Sequence, residues 1–169
     1  MVWYVLLIAA VGVERLAELV VAERNRRWSQ QHGGVEHGAR HYPVMVVLHT
    51  GLLAGCLLEV TALHRPFTPA LGFPMLALVI AAQALRWWCI TTLGRQWNTR
   101  VLVIPGAARV TGGPYRLIPH PNYVAVVLEG VALPLVHGAW ITALVFTVLN
   151  AALLRTRIQV ENAALAGLR

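Results

Sequence analysis

The stretch that decides the fold reads NYVAVVLEGVALPLVHGAWITALVFTVLNAALL over residues 122–154. Two apolar runs, 122–136 and 139–154, are separated only by His137 and Gly138, with Pro134 just before them. Each is shorter than the about 20 residues a helix needs to cross about 30 Å of hydrocarbon. They form a tight transmembrane hairpin or a re-entrant one. Either version returns the chain to the side it came from, so the segment before residue 122 meets the segment after residue 154.

Both of those segments are polar. GPYRLIPHPNY, residues 113–123, packs turn-forming, ring-bearing and hydrogen-bonding residues together where the hairpin begins, and RTRIQVEN, residues 155–162, places charges where it ends. Upstream, residues 2–22, 43–63 and 70–91 are apolar runs of spanning length, which makes five helices in all. The first run carries Glu14, Arg15 and Glu18, and has neither a basic leader nor a small-residue cleavage site, so it reads as a retained helix.

Composition supports this reading. Of 169 residues, 57% are hydrophobic and 12% charged, against about 25% charged in soluble domains. The net charge of +7 comes from arginines dispersed between apolar segments, which is the pattern of membrane topology and not of a nucleic-acid-binding face. Arg24, Arg26, Arg27 and Arg40 lie in the first loop, Arg95, Arg100, Arg109 and Arg116 in the third, and Arg155, Arg157 and Arg169 in the tail, whereas the second loop has Arg65 alone. The positive-inside rule then puts the odd loops and the C-terminus in the cytosol and the N-terminus outside. Six tryptophans fall near the expected span ends, as an aromatic belt would place them. Cys56 and Cys89 sit inside apolar runs with no metal or disulfide spacing. His32, His37 and His41 read as part of a solvated loop more readily than as a metal site.

The third loop, residues 93–121, is too long for a simple connection, and loops of that length are usually functional or disordered. Its mixture of Trp97, the apolar run 101–104, Pro105-Gly106 and Gly112-Gly113-Pro114-Tyr115 suits a segment folded down on the membrane face.

From about residue 94 to 165 the chain resembles the isoprenylcysteine carboxyl methyltransferase family. Its signature runs Gly-x-Tyr, Arg-His-Pro-x-Tyr, a helical hairpin, then Arg-Ile-x-x-Glu-Glu. Two positions depart from it: Pro119 stands where the family has Arg, and Asn162 where it has the second Glu. Arg116 is a substitute cation one turn earlier. The chain is also similar to the bacterial branch associated with type III polyketide synthases, whose products are long-chain resorcinols and pyrones. The resemblance implies an all-α integral membrane enzyme of one domain, residues 1–169, with three N-terminal helices in 1–92 and the cofactor-binding loop, hairpin and tail in 93–169. It also implies a plasma-membrane location, S-adenosylmethionine as methyl donor, and an amphiphilic, lipid-like acceptor at a cytosolic pocket. Carried over by position, the cofactor-binding residues are Tyr115, His120, Pro121, Tyr123, Arg157 and Glu161.

The residues suit such a donor on chemical grounds. Arg157 can hold a carboxylate in bidentate fashion, Glu161 can accept from ribose hydroxyls or the ammonium, and the tyrosines can face adenine or the sulfonium. Arg157 and Glu161 share one helical face at i and i+4. Arg157 could also aim an acceptor carboxylate, which needs no base. A phenolic acceptor, with pKa near 10, needs one, and Glu129, inside the fourth apolar run, is the candidate because an ionisable group at such depth is expensive. An interhelical hydrogen bond is the plainer role for Glu129. Glu14, Arg15 and Glu18 read as an inward structural network, and Arg86 as a snorkelling cation. Two other functions fit the same sequence: an NADPH-dependent membrane reductase akin to sterol reductases, and a non-catalytic membrane scaffold.

Overall fold

The helical hairpin is closed by backbone chemistry. The computed structural model describes residues 1–166, and in it α4 (Pro121–Leu135) and α5 (Trp140–Ala166) follow one another across a four-residue turn. Ala139 N–H donates to Pro134 C=O (2.9 Å) and Gly138 N–H to Leu135 C=O (3.2 Å), the paired bonds of a Schellman ending, with Gly138 at φ +71° where a side chain would be strained. The next helix is started by a side chain from elsewhere. Glu59 accepts from Ile141 N–H (3.2 Å), Thr142 N–H (2.7 Å) and Thr142 Oγ1 (2.8 Å), so an anion satisfies the free donors at the N-terminus of α5. Arg65 balances that carboxylate at 3.1 Å and lies over the Trp140 ring.

Three helices precede the hairpin: α1 (Val2–Gln31), α2 (His41–Ala62) and α3 (Pro69–Leu93). On α1 the buried residues Tyr4, Ile8, Val11, Glu18, Ala22 and Ser29 recur at threes, fours and sevens, which lays them on one stripe facing the bundle. α3 packs along α4, α4 against α5, and α5 against α2. Leu52, Cys56, Val60, Val79, Leu133, Val136 and Phe146 form the apolar core, and Tyr4 Oη donates to Leu133 C=O at 3.0 Å. Large apolar side chains such as Val13, Val47, Leu58, Phe73, Ile80 and Leu144 point outward, a surface suited to lipid.

Among the described residues, three helices are long and apolar enough to cross a membrane: α2, α3 with its short extension, and α5. Two expectations from sequence change here. α1 does not end at residue 22 and is not among these three, because Glu14, Arg15 and Glu18 interrupt its apolar part and the helix-compatible run 23–31 continues it. α5 is not short: no Gly or Pro breaks residues 155–166, so the charges expected on a separate tail lie on the last turns of the helix itself. α4, with 15 residues, reaches only about 22 Å at 1.5 Å per residue.

The long connector folds over one end of the bundle. Strand β1 (Val35–His37) pairs antiparallel with β2 (Val101–Val103), Glu36 opposite Leu102, which adds a small sheet to an otherwise helical fold. Three-residue strands carry no readable alternation. Asn25 Nδ2 donates to the carbonyls of Gly94 (3.0 Å) and Trp97 (2.8 Å), Asn98 Nδ2 to that of Ala22 (3.1 Å), and Arg100 pairs with Glu36 at 2.7 Å. β1 and β2 also pack on α5, and Arg157 reaches Thr99, so the first loop, the third loop and the end of α5 meet.

Candidate functional site

Two short turns set the mouth of the site. Gly113–Arg116 forms a 3-10 turn that carries Tyr115, and Pro121, buried, occupies the first position of α4, where a missing N–H is harmless. That start places His120 just before the helix and Tyr123 on its first turn. α5 supplies Arg157, Glu161 and Asn162 from its final turns. Tyr123 Oη donates to Glu161 Oε2 at 2.5 Å, His120 Nδ1 lies 3.4 Å from Glu161 Oε1, and His120 Nε2 is 3.1 Å from Asn162 Oδ1. The His120 and Tyr123 rings stack at 5.5 Å, and the Arg157 guanidinium lies 5.9 Å from the Tyr123 centroid. Arg157 is anchored by Nη2 to Thr99 C=O (2.8 Å) and by Nη1 to Met45 Sδ (2.9 Å). Asn162, the departure from the family pattern, thus serves as a hydrogen-bond acceptor for His120.

With acceptors facing both ring nitrogens, His120 is built to be protonated. The Glu161 hydrogen bond raises its pKa above the ordinary value, outweighing burial and the nearby Arg109. A folded pKa above the unfolded one gives stabilisation that is complete below the unfolded value and is lost as pH rises through the folded one. Thermal unfolding of wild type and His120→Ala between about pH 5 and pH 9 should show a gap that is widest in acid and narrows in base. A gap independent of pH would mean that folding leaves the His120 pKa unchanged.

The mouth opens into a cavity of about 410 Å³, within the range of about 300–1,000 Å³ usual for small-molecule sites. Tyr115, His120, Tyr123, Arg157 and Glu161 line it, and so do Arg15, Arg86, Glu129 and His49. Helix spacing separates these into layers. Glu129 is six residues beyond Tyr123 on α4 and Asn150 is seven before Arg157 on α5, so each lies about 10 Å along its helix from the mouth at 1.5 Å per residue. Val126, Leu153 and Leu154 occupy the turns between them and also line the cavity. The site therefore has a polar mouth, an apolar middle and a charged floor.

At the floor, Glu129 Oε2 accepts from Arg86 Nη2 (2.8 Å) and from Arg15 Nη2, while Arg15 Nη1 pairs with Glu18 at 2.5 Å and Arg86 Nε lies 3.4 Å from Glu18 Oε1. Gln83 joins Arg15 (3.2 Å) to Glu14, which also accepts from Trp87 Nε1 (2.8 Å). Two arginines, Arg15 and Arg86, thus face Glu18 and Glu129 from α1, α3 and α4, with Glu14 a third carboxylate 3.9 Å from Arg15. Arg86 does not snorkel: it is 5% exposed and holds Glu129. One carboxylate oxygen of Glu129, Oε2, is shared by two guanidinium groups. Arg15, Arg86, His49 and Asn150 were not singled out as site residues from sequence, although the stripe at 4, 8, 11, 15, 18 and 22 on α1 carries the information that Arg15 and Glu18 face inward.

Fold and cavity together define a helical protein with helices of membrane-spanning length and a polar-mouthed, apolar-walled site under one end of its bundle. The model of the isoprenylcysteine carboxyl methyltransferase (ICMT) family matches residues 75–167, more than half of the chain and all of the mouth. The chain belongs to this family. It is 38% identical over 161 residues to an uncharacterised Bacillus subtilis protein, YpbQ, covering 95% of each. It is 24% identical over 163 residues to an uncharacterised Haemophilus influenzae protein, covering 95% of this chain and 93% of that one. No solved structure matches it.

Proposed function

We propose that the protein transfers the methyl group of S-adenosylmethionine to an oxygen of a long-tailed amphiphile, with the donor held at the mouth and the acceptor entering from the bilayer. The observation that carries this reading is the convergence of Arg157, Glu161, His120 and the two tyrosines on one cavity whose inner wall is apolar. The donor set fits such a cofactor. Arg157 Nε and Asn122 Oδ1 are enclosed and have no hydrogen-bond partner among the described residues, which leaves one donor for a carboxylate and one acceptor for an ammonium or hydroxyl. Glu161, already oriented by Tyr123, can accept from ribose hydroxyls, and Tyr115 and Tyr123 offer ring faces to a cation.

The donor, when bound, supplies an electrophilic methyl on a cationic sulfur. The protein's share is positioning and exclusion of water. Val126, Leu153 and Leu154 keep the middle layer dry, and the connector roofs the mouth. The clustering of loop arginines at the connector end favours a cytosolic mouth in a plasma membrane, with the N-terminus outside. The acceptor is a prenylcysteine-type carboxylate or the hydroxyl of a long-chain phenol or pyrone.

An NADPH-dependent reductase is the competing reading, since arginines also suit phosphates. Isothermal titration of the detergent-solubilised protein with S-adenosylhomocysteine and with NADPH separates the two. Heat with S-adenosylhomocysteine alone is expected; heat with NADPH alone would remove the methyltransferase reading. Binding of neither nucleotide, together with co-purification of a partner enzyme, would favour a scaffold.

A further inference from the structure

The charged floor contains one group that the reading above does not use. His49, half-buried on α2, faces the cavity one turn beyond Met45 and two turns inside the start of that helix. Its Nδ1 lies 2.9 Å from Met45 C=O. A carbonyl can only accept, so Nδ1 carries the proton and Nε2 carries the lone pair. Nothing among the described residues hydrogen-bonds Nε2. The Phe146 ring meets the imidazole edge-to-face at 5.4 Å and 88°, and so fixes its plane.

We propose that His49 is the proton acceptor for a weakly acidic ring hydroxyl on the acceptor, with Arg86 steadying the oxygen, while Glu129 positions the arginines. This rests on the methyltransferase reading and narrows its acceptor to phenols and enols. Three further observations support it. Glu129 Oε2 is held by both Arg15 and Arg86, which fixes the carboxylate beside their guanidinium groups. Asn150 Oδ1 and Arg86 Nε, each on a residue at most 5% exposed, line the same floor without a hydrogen-bond partner among the described residues. Nε lies 3.4 Å from Glu18 Oε1 as an ion pair, so an acceptor and a donor shared with Glu18 can meet a polar head. The layer between floor and mouth is apolar, which keeps water away from the oxygen where the donor's methyl would reach it.

In the step, the hydroxyl O–H bond breaks and its proton passes to Nε2. The oxygen lone pair forms the new O–C bond as the C–S bond breaks, and that bonding pair stays on sulfur, leaving a neutral thioether. The imidazolium then returns its proton to water. A carboxylate acceptor is already ionised near neutral pH and needs no such group.

The test uses the full chain in detergent micelles and two probes with the same ring and tail, para-dodecylphenol and para-dodecylbenzoate. In protein labelled with ¹⁵N in its histidine rings, the difference between wild type and His49→Gln assigns His49. The expected spectrum is a neutral Nδ1–H tautomer whose Nε2 resonance moves when the phenol is added without any cofactor. For methyl transfer, His49→Gln should lower kcat/KM toward the phenol by about a hundredfold or more, the scale of general-base catalysis, with S-adenosylhomocysteine affinity retained. His49→Asn, which keeps an amide toward Met45, replaces it if the first variant does not fold. An Nε2–H tautomer, an Nε2 signal indifferent to the phenol, or equal losses toward phenol and benzoate would overturn the role of His49. Failure of the wild type to bind S-adenosylhomocysteine would instead remove the methyltransferase reading on which it stands.

Discussion

Replacing Glu161 with alanine is expected to lower S-adenosylhomocysteine affinity by about a hundredfold, while the protein stays folded. Glu161 organises the mouth, since one carboxylate oxygen accepts from Tyr123 Oη at 2.5 Å and the other faces His120 at 3.4 Å. Hydrogen bonds to charged groups contribute about 1.5–3 kcal/mol each, and a hundredfold corresponds to about 2.7 kcal/mol. The loss includes any direct contact with the nucleoside and the freedom regained by Tyr123 and His120. Tyr123→Phe separates these two components. If Glu161 acts mainly by holding Tyr123, the double variant binds about as weakly as Glu161→Ala; if it contacts the ligand, the two losses add. Arg157→Lys should also bind weakly, because an ammonium cannot reach Thr99 C=O and Met45 while presenting a free Nε–H as the guanidinium does. Isothermal titration reads all four proteins. A change below about threefold for both Glu161→Ala and Arg157→Lys would take the cofactor away from the mouth.

The expected course of the chain was legible where a local rule was enough. Residues 43–63 and 70–91 were readable as spans from length and apolarity alone, and they correspond to α2 and α3 with small shifts at the ends. The hairpin was readable because Pro134, His137 and Gly138 leave the chain room for nothing but a turn. Its consequence, that Tyr123 and His120 meet Glu161, followed from topology without any distance. The rest of the site depended on where α1 lies. Nothing within residues 2–31 says that Arg15 will reach Glu129, 114 residues away, or that Arg86 will face the same carboxylate. Those pairings follow from three helices converging, and a sequence pattern reports only that each residue faces inward. The β1–β2 sheet was invisible for a related reason: three-residue strands gain their order from a partner sixty-odd residues distant, and from the Arg100–Glu36 pair and the Arg157–Thr99 bond beside it.

Glu129→Ala is expected to be the most destabilising single change in the bundle. Glu129 and Arg86 are each about 5% exposed, and the carboxylate is shared by Arg86 and Arg15. Its removal takes the shortest partner from both guanidinium groups and leaves Arg86 with Glu18 at 3.4 Å and Arg15 with Glu18 and, at 3.9 Å, the more exposed Glu14. Breaking a buried ion pair from one side costs about 3–5 kcal/mol, because the stranded partner keeps its desolvation penalty. For a chain of this size each kcal/mol moves the unfolding midpoint by about 2–4 °C, so a fall of the order of 10 °C is expected in micelles. Arg86→Met in the same chain removes the stranded charge, and the double variant should recover much of the lost stability. That recovery distinguishes an anchor from a base. A residue whose task is to take a proton could be neutralised as Gln with activity lost and the midpoint unmoved, and Arg86→Met would then restore nothing. An anchor loses stability first, and activity only as far as the floor deforms around His49. A Glu129→Ala protein as stable as wild type would show that the network of Arg15, Glu18, Arg86 and Glu129 does not hold the bundle together, and would return Glu129 to the list of groups free to act on the acceptor.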